Sequence, residues 1–409
     1  MKELLGRVDR QSLVDTASDL VNIPSPTGYE QEAAGYLRDT FTELGLQVSW
    51  QEVEDGRPNV VAVLEGEGGG KSLMFNGHLD TSYSGSEPWL RGIAGFQPRA
   101  RVSGGTISGL GISNMKGALA CYVEVVRALQ DSGVRLRGDV LIAAVVGEIE
   151  KTQWGHEFRG REYRGYAAGS RHLVSHGGVA DMCILGEPTE QKLVLGHYGA
   201  IWLRVSTSGP FIHTAFSGGR LEQNSIVRMR DVLDAVLDWI PSWQDRTSYG
   251  GRPGIVNVGA IDGGFAWRAS RTPSRTDLFL DARVPPTMPM AEARGALQEF
   301  VRGLRARFPE HGVESEIYVT APGAEIGEGH ELVRALDESH QQVFGAPPER
   351  DTVRWFSDAS VLTRYGIATV NYGTSSGLPG IEGESVEIKG LVDTARVYAL
   401  AATKVCGIA

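Results

Sequence analysis

Three apolar stretches of this sequence each end on side chains that can bind a metal ion or move a proton. LMFNGHLD brings His78 and Asp80, VLIAAVVGE ends on Glu148, and MCILGEPT brings Glu187. If these stretches are neighbouring strands of an open α/β sheet, their carboxyl ends meet at the crevice where such sheets bind ligands. One imidazole and three carboxylates converging in a crevice predict metal-assisted hydrolysis.

His78 is the expected metal ligand of the first stretch. In the motif NGHLDT it follows a strand directly, with Asp80 two residues further on. A carboxylate in this position can fix the tautomer of a metal-binding imidazole without touching the metal itself. The competing interpretation is a structural histidine, and the combination with Asp80, Glu148 and Glu187 favours chemistry.

Glu148 and Glu187 have different expected roles. Glu148 ends a buried strand, and burial raises the pKa of a carboxyl group, which suits a general base. Glu150 is the alternative base. Glu187 is expected to bind the metal, because Pro188 makes its turn rigid. The alternative for Glu187 is a charge at the start of a helix.

These side chains need a sheet to bring them together, and the hydrophobic pattern predicts one. From Leu13 to about Leu195, helical patterns alternate with continuous apolar strands, which is typical of a largely parallel sheet. The pattern then changes to β-α-β-β-α-β, the ferredoxin-like order, and returns beyond about Pro322. We expect an α/β fold with a mostly parallel sheet catalytic domain over residues 1–196 and 321–409. An inserted ferredoxin-like α+β domain is expected over residues 197–320.

The composition is that of a globular enzyme and excludes several classes of protein. The chain has 409 residues, of which 41% are hydrophobic and 22% charged, and this length fits two domains. A formal net charge of -10 argues against a nucleic-acid-binding protein, and no apolar run is long enough to span a membrane. The N-terminal segment has helical spacing instead of the pattern of a signal peptide, so a cytoplasmic location is expected. Cys121, Cys183 and Cys406 have no paired spacing, and no chemical role is assigned to them.

A glycine-rich loop, GLGISNMKG, precedes the helical pattern that starts near Met115. It lacks the GxGxxG spacing of a dinucleotide site and the Lys-Ser/Thr ending of a P-loop, so no nucleotide site is expected. Asn114 in this loop is interpreted as a helix cap or as a neutral oxygen ligand.

Together these motifs resemble those of the aminoacylase, acetylornithine deacetylase, succinyl-diaminopimelate desuccinylase and carboxypeptidase G family of zinc amidohydrolases. The matching segments run over nearly the whole chain: NGHLDT, GLGISNMKGALA, VVGEIE, LGEPT, GPFIHTAFSGG with the later Asn224, FSDAS and NYGTSSG. The resemblance implies a two-domain subunit whose inserted domain forms a homodimer. It also implies a small-molecule substrate and two zinc ions that share a bridging Asp.

Three metal-ligand positions implied by the resemblance are changed in this sequence. The bridging Asp is Asn114, the second residue of a Glu-Glu pair is Ile149, and the last histidine falls on Gly380. These are the three ligands of the second zinc ion, whereas His78 and Glu187 of the first are kept. We therefore expect one divalent ion per subunit, bound by His78, Glu187 and the Asn114 oxygen. Zinc is the expected ion, with manganese or cobalt as alternatives, and a second metal is not expected.

The resemblance also assigns residues outside the metal site. It implies that His213 acts in the partner subunit's active site and stabilises the oxyanion of the reaction. The arginines that follow Gly264 are candidates for binding a substrate carboxylate, with a solvated charged loop as the alternative. The expected substrate-binding residues are Asn224, Arg268, Arg271, Asp358, Thr374 and Ser375.

The sequence thus predicts a metal-dependent amidohydrolase that cleaves a C-N bond of a small N-acyl amino acid or related carboxylate. Its expected catalytic residues are Glu148 as general base, with Asp80 and His213. Two alternatives stay open: a metal-independent enzyme that moves or hydrolyses an acyl group with Glu148 and His213, and a non-catalytic binding member of the family. The retention of Glu148 together with the metal ligands favours catalysis. Neither a nucleic acid nor a membrane is an expected partner.

Overall fold

The computed structural model describes residues 1–151, 165–374 and 383–409. The chain divides into two compact units. The first unit consists of Met1–Leu195, Glu325–Asp351 and Ser357–Ala409, and the second of Gly196–Ala324 and Thr352–Phe356. Within the described ranges, no helix combines the length and the apolar character that crossing a membrane requires.

The described residues form strands and helices throughout both units. The strands are β1 (Gln47–Glu54), β2 (Arg57–Leu64), β3 (Leu73–His78), β4 (Arg101–Ser103), β5 (Thr106–Ser108), β6 (Val140–Val145), β7 (Met182–Leu185), β8 (Leu193–His197), β9 (Gly199–Ser208), β10 (Val256–Gly263), β11 (Arg275–Val284), β12 (Glu314–Ala321), β13 (Ala324–Glu325), β14 (Arg350–Val353), β15 (Ala368–Asn371) and β16 (Ser385–Glu387). The α-helices are α1 (Lys2–Arg7), α2 (Arg10–Asn22), α3 (Gln31–Glu43), α4 (Gly117–Asp131), α5 (Ala168–Ser175), α6 (Ser225–Arg246), α7 (Met290–Arg307), α8 (Glu331–Phe344), α9 (Ala359–Leu362) and α10 (Ile388–Cys406).

The large sheet of the first unit is parallel at its centre. Its strand order is β1-β2-β6-β3-β7-β15-β8-β13, with β14 pairing with β8. β3 runs parallel to β6 and to β7, and β7 runs parallel to β15. Every residue of β3, β6 and β7 is buried, as expected for strands covered on both faces. The predicted α/β class with a mostly parallel sheet is therefore confirmed.

The central strands end at one edge of this sheet, and the candidate side chains follow these ends. His78 is the last residue of β3, Glu148 comes three residues after β6, and Glu187 two residues after β7. β3 pairs with both β6 and β7, so the three strand ends lie side by side. Parallel pairing thus delivers three distant parts of the sequence to one place.

Two glycines let α4 and the turn before it pack against these strand ends. A Cβ atom on Gly186 would lie 2.3 Å from the hydroxyl oxygen of Tyr122 and 2.6 Å from Cβ of Ala118. A Cβ atom on Gly77 would lie 2.8 Å from Cε of Met115. Both distances are shorter than atoms at van der Waals contact allow. Gly186, which precedes Glu187, must therefore be glycine for this packing, whereas a side chain at Gly77, which precedes His78, would force the end of Met115 to move.

The second unit, as far as the structure describes it, is a four-stranded antiparallel sheet with two long helices. Along the chain the order is β9, α6, β10, β11, α7, β12, and across the sheet it is β10-β11-β9-β12. This is the ferredoxin-like arrangement. Burial alternates along β11, because one face of the sheet packs on the helices while the other stays partly exposed. Its apolar core includes Leu203, Val232, Leu278 and Leu297.

Candidate active site

Both ring nitrogens of His78 face an oxygen atom. Nδ1 lies 2.9 Å from the backbone oxygen of Asp80, and Nε2 lies 2.9 Å from Oδ1 of Asn114. Burial lowers the pKa of His78, but the charges of Glu187 and Asp80 and the contact with Asn114 outweigh it, so the pKa is raised. The ring therefore lies where the surroundings stabilise a positive charge.

Glu148 and Glu187 form a buried group of metal-ligand type with His78. Nε2 of His78 lies 3.7 Å from Oε1 of Glu187 and 3.9 Å from Oε2 of Glu148. One ligand atom from each of the three residues lies within 4.8 Å of the other two, and in the part of the chain that the structure describes no other such group exists. The predicted ligands His78 and Glu187 are thus brought together, with Glu148 beside them.

Burial raises the pKa of both glutamates. The pKa of Glu187 rises to about 7, chiefly because its carboxyl group is buried, although nearby His78 lowers it. The pKa of Glu148 is raised well above its ordinary value by burial and by the charges of Glu187 and Asp358. A carboxyl group whose pKa is raised in this way can take up and return a proton near neutral pH, as a general base must.

The carboxylate of Asp80 holds the turn that carries Glu148. Oδ1 accepts a hydrogen bond from the Glu148 N–H at 3.1 Å, and Oδ2 accepts from the Ile149 N–H at 3.2 Å and from Oγ1 of Thr27 at 2.9 Å. Oδ1 lies 3.7 Å from Nδ1 of His78, beyond hydrogen-bond distance. Three other donors occupy this carboxylate, so the backbone oxygen of Asp80, and not the expected side chain, fixes the imidazole.

Asn114 lies in an irregular turn, Ile112–Lys116, that a buried glutamate holds in place. Oε2 of Glu384 accepts hydrogen bonds from the Ser113 N–H at 3.1 Å, from Oγ of Ser113 at 2.9 Å and from the Asn114 N–H at 3.1 Å. These bonds fix the backbone from which the Asn114 side chain reaches His78. α4 begins at Gly117, so Asn114 does not cap that helix.

The donor set of this group fits a divalent cation. Asp80, Glu148, Glu187 and Asp358 are all buried, and the charges of Asp80, Glu187 and Asp358 each raise the pKa of His78 and of Glu148. Bringing a cation among buried carboxylates removes their mutual repulsion. One imidazole nitrogen with carboxylate oxygens is a donor set that zinc accepts, and an amide oxygen can add a neutral contact.

Two of the positions changed from the family pattern have weak or no ligand atoms. Ile149 is buried and offers an apolar side chain, and Asn114 offers an uncharged oxygen. Gly380 lies outside the described residues, and so does Ser375, a predicted substrate-binding residue.

Asp358 and Thr374, both predicted to bind substrate, have buried polar atoms that lack a partner. Oδ2 of Asp358 accepts a hydrogen bond from Oγ of Ser170 at 2.6 Å. Oδ1 of Asp358 and Oγ1 of Thr374 are buried and have no hydrogen-bond partner among the described residues. Burial raises the pKa of Asp358 to about 6, so this group is a carboxylate at neutral pH.

In the second unit, His213 and Arg271 lie opposite each other in a backbone bridge. Nδ1 of His213 accepts a hydrogen bond from the Ala215 N–H at 3.2 Å, so a neutral ring carries its proton on Nε2. The guanidinium carbon of Arg271 lies 5.3 Å from the centre of the Phe211 ring. A hydrogen-bond donor and a cation are thus neighbours on this unit.

Asn224 and Arg268 also lie in the second unit. Oδ1 of Asn224 accepts a hydrogen bond from the Ile226 N–H at 2.9 Å and caps α6, so that oxygen is committed to the helix end. Arg268 is exposed. Their contacts with substrate stay predictions.

Glu384 and Lys116 were not assigned by the sequence reasoning. Lys116 is 1% exposed, and its Nζ donates a hydrogen bond to the backbone oxygen of Ile23 at 2.7 Å. Burial lowers the pKa of Lys116 to about 7, although the charge of Glu384 opposes the shift. Lys116 belongs to the GLGISNMKG loop, so the sequence indicated that it lies near the site. A single charged residue in a sequence does not reveal which backbone oxygen it binds.

Comparison with known proteins identifies the family. Residues 74–404 match the model of peptidase family M20/M25/M40. The chain is 26% identical over 402 residues to the N-formyl-4-amino-5-aminomethyl-2-methylpyrimidine deformylase of Bacillus subtilis (strain 168), covering 89% of this chain and 87% of that protein. It is 26% identical over 358 residues to the acetylornithine deacetylase of Vibrio vulnificus (strain CMCP6), covering 86% and 85%. A succinyl-diaminopimelate desuccinylase of Gluconacetobacter diazotrophicus is 26% identical over 379 residues, covering 85% and 86%.

Solved structures have the same fold at low sequence identity. Human carnosine dipeptidase 1 has a TM-score of 0.75 with 14% identity, covering 99% of this chain and 98% of that chain. The dipeptidase Dug1p of Saccharomyces cerevisiae has a TM-score of 0.77 with 11% identity, covering 99% and 98%.

The named relatives act on amide bonds, so both the predicted family and the predicted hydrolase class are confirmed. This chain is therefore a member of the metal-dependent hydrolases of peptidase family M20/M25/M40, because the family matches most of its length and because it has the fold and the buried residues His78, Glu148 and Glu187.

Proposed function

We propose that this chain hydrolyses the amide bond of a small N-acyl compound with one divalent metal ion per subunit and Glu148 as general base. The observation that carries the proposal is the buried group in which Nε2 of His78 lies 3.7 Å from Glu187 and 3.9 Å from Glu148. His78 and Glu187 would hold the ion, with Oδ1 of Asn114 as a neutral contact. Zinc in such a site polarises a substrate carbonyl and lowers the pKa of a coordinated water molecule to near 7.

Glu148 would take a proton from the attacking water and return it to the leaving nitrogen. Its raised pKa and its fixed backbone support this role, because Asp80 holds the N–H groups of Glu148 and Ile149. The oxygen of this water would bond to the carbonyl carbon, and the C-N bond would break as the leaving nitrogen takes the proton, which gives a carboxylic acid and an amine. Asp80 therefore acts by positioning the base.

The proposed number of ions, one per subunit, rests on the changed ligand positions. Ile149 has no ligand atom and Asn114 no charge, so two of the three ligands that the family resemblance implies for a second ion are missing or weakened. The loss of charge at Asn114 also lowers the expected affinity for the first ion, which keeps manganese and cobalt as candidates.

We propose that His213, in the second unit, supplies the oxyanion contact in the active site of the partner subunit. His213 presents Nε2–H when neutral, which suits a donor to the developing oxyanion. Arg271 or Arg268 would bind a substrate carboxylate, and Asn224, Asp358, Thr374 and Ser375 are the other proposed substrate contacts. The family match supports these assignments, and the retained base favours catalysis over a purely binding role.

Metal analysis and turnover test the proposal together. Purified protein should contain about one zinc, manganese or cobalt ion per subunit, and His78→Ala should lose it. Glu148→Gln should reduce kcat on a responsive substrate at least about 100-fold while keeping the ion, because it removes the base only. The substrate panel is N-formyl-4-amino-5-aminomethyl-2-methylpyrimidine, N-acetylornithine and N-succinyl-diaminopimelate, the compounds in the relatives' names.

Glu150→Gln is the matched control, because Glu150 is the neighbouring alternative base. Two ions per subunit would refute the single-metal site. Full activity without any ion would favour the metal-independent enzyme, and a metal-free inactive protein would favour the binding member. Loss of activity in Glu150→Gln but not in Glu148→Gln would reassign the base.

We also propose a homodimer through the second unit, in the cytoplasm. Large apolar side chains on this unit support an interface, including Leu237 of α6 at 51% and Ile261 of β10 at 56% exposure. Sedimentation should give twice the mass of one chain, and Ile261→Asp should halve it, because a buried unpaired charge is costly. Val179→Asp changes an apolar residue of the first unit that is 51% exposed and should leave the mass unchanged. A monomeric wild type would refute the dimer.

A further inference from the structure

We propose that Oδ1 of Asp358 accepts a hydrogen bond from a second amino group on the amine part of the substrate, so that the site prefers amides of diamines. This inference rests on the proposed function and names the substrate class of the same site. It concerns a carboxylate that neither the metal group nor the proton transfer uses.

One oxygen of the buried Asp358 carboxylate has a hydrogen-bond donor, and the other has none among the described residues. The residue is 1% exposed, and Oγ of Ser170 donates to its Oδ2 at 2.6 Å. Ser170 in turn accepts a hydrogen bond from Nδ2 of Asn76 at 3.3 Å, so its own proton points to Asp358. Oδ1 of Asp358 is buried without a partner among the described residues. A buried carboxylate oxygen without a donor is costly, so the fold holds an acceptor that a ligand can satisfy.

The charge of Asp358 acts on the reacting groups. It contributes to the raised pKa of His78, Glu148 and Glu187. It nevertheless does not join the group of atoms close enough to share one ion, which consists of His78, Glu148 and Glu187. The contacts from Asn76 through Ser170 to Asp358 start two residues before His78, so Asp358 lies near the reacting groups without being one of the ion's ligands in that group.

The other carboxylates of the site already have roles. Asp80 accepts three hydrogen bonds, from Thr27, Glu148 and Ile149. Glu187 and Glu148 are the proposed ligand and base. Asp358 is left as the anionic acceptor for the substrate, and an acceptor-only oxygen selects a group that carries N–H or O–H. A basic amine or an amino group on a ring meets this demand, and its positive charge or N–H polarity offsets the surrounding acids.

A pair of amines that differ in one amino group tests the inference by binding. The probes are 4-amino-5-aminomethyl-2-methylpyrimidine and the same compound without the 4-amino group, titrated calorimetrically into zinc-loaded protein. Wild type should bind the first at least about tenfold more tightly, the factor that 1.4 kcal/mol represents. In Asp358→Asn this preference should fall to less than about threefold. Ser170 would keep the amide oxygen of the new side chain, so its NH2 group would face the probe's amino group.

Glu124→Gln is the control, because Glu124 is a buried carboxyl group that accepts from Asp9 and Ser12 elsewhere in the first unit. It should leave the preference unchanged. Equal loss for both probes in Asp358→Asn would assign a structural role, and loss of zinc would make Asp358 a metal ligand; either result overturns the inference. So would a wild type without preference. Because binding is measured without turnover, an inactive protein that still prefers the diamine would refute the hydrolase proposal and leave only the contact between Asp358 and the amino group.

Discussion

At the scale of single residues, the site is governed by which hydrogen-bond donors occupy which carboxylate. Asp80 is fully engaged by backbone and hydroxyl donors, whereas Glu148 and Glu187 face the His78 ring and carry raised pKa values. Glu384 accepts hydrogen bonds from the backbone of the Asn114 turn, just as Asp80 accepts them from the backbone of the Glu148 turn. Two buried acids thus position two loops, and the remaining acids are left for chemistry.

Glu384→Ala should destabilise the protein and weaken metal binding. The change leaves two buried donors of Ser113 and a partly buried donor of Asn114 without an acceptor, and each buried donor costs about 1–3 kcal/mol. We expect the free energy of unfolding of the metal-free protein to fall by about 2–4 kcal/mol and zinc affinity to fall at least about tenfold. Denaturant unfolding and zinc competition measure the two effects. The control is Glu387→Ala, an exposed residue nearby, and equal behaviour of the two variants would contradict the role of Glu384.

At the scale of elements, the site exists because parallel strands end together and α4 packs closely against those ends. The alternation of apolar strands and helices predicted the central strands, and β7 consists of the apolar residues MCIL of the stretch MCILGEPT. The helical pattern that begins near Met115 forms α4 two residues later, because the turn Ile112–Lys116 intervenes. That turn carries Asn114, so an irregularity at the helix start is what brings this residue to His78.

Gly186→Ala tests the close packing of β7 on α4. The added Cβ atom would meet the Tyr122 hydroxyl, whose proton is donated to the backbone oxygen of Asn76 at 2.6 Å. Overpacking of this kind costs about 1–3 kcal/mol, and the adjacent Glu187 should be displaced, so zinc affinity should fall as well. Gly35→Ala in α3 is the matched control, since nothing lies within 4 Å of its added Cβ and alanine favours a helix. The proposed packing is wrong if the two variants unfold at the same denaturant concentration.

At the scale of the whole molecule, buried acids link stability to pH and to the metal. Four buried carboxyl groups lie around one imidazole, and the folded chain holds protons on some of them more tightly than the unfolded chain does. A bound cation takes the place of those protons. The free energy of unfolding at neutral pH should therefore depend on the bound ion and not only on the size of the hydrophobic core.

The raised pKa of Glu187 determines whether stability rises or falls with pH. Its pKa rises from 4.5 to about 7 in the folded protein. Between these values the native state binds more protons than the unfolded state, so the contribution of Glu187 to stability falls as pH rises. In the presence of a chelator, the unfolding free energy of wild type minus that of Glu187→Gln should fall from pH 4.5 to 7, by about 1.4 kcal/mol per pKa unit. Saturating zinc should abolish this fall, and a difference that rises with pH without zinc would contradict the assignment.

The amino-acid sequence by itself determined the fold class, the ferredoxin-like order of the middle segment and the group His78, Glu148 and Glu187. These features depend on the period of apolar residues and on which polar residue ends a strand, and both are local properties of the chain. The replacement of family metal ligands by Asn114 and Ile149 could likewise be recognised in the sequence, because each is a change at a single position.

Only the tertiary structure decided which atoms meet. The backbone oxygen of Asp80 contacts His78, because three donors from two other loops occupy the side chain. Glu384 comes 270 positions after Asn114 and yet holds its backbone N–H, and Oδ1 of Asp358 is left open by the way Ser170 binds its other oxygen. Hydrogen bonds between residues distant in sequence follow from how loops converge at a sheet edge, and no periodicity along the chain encodes that competition for donors.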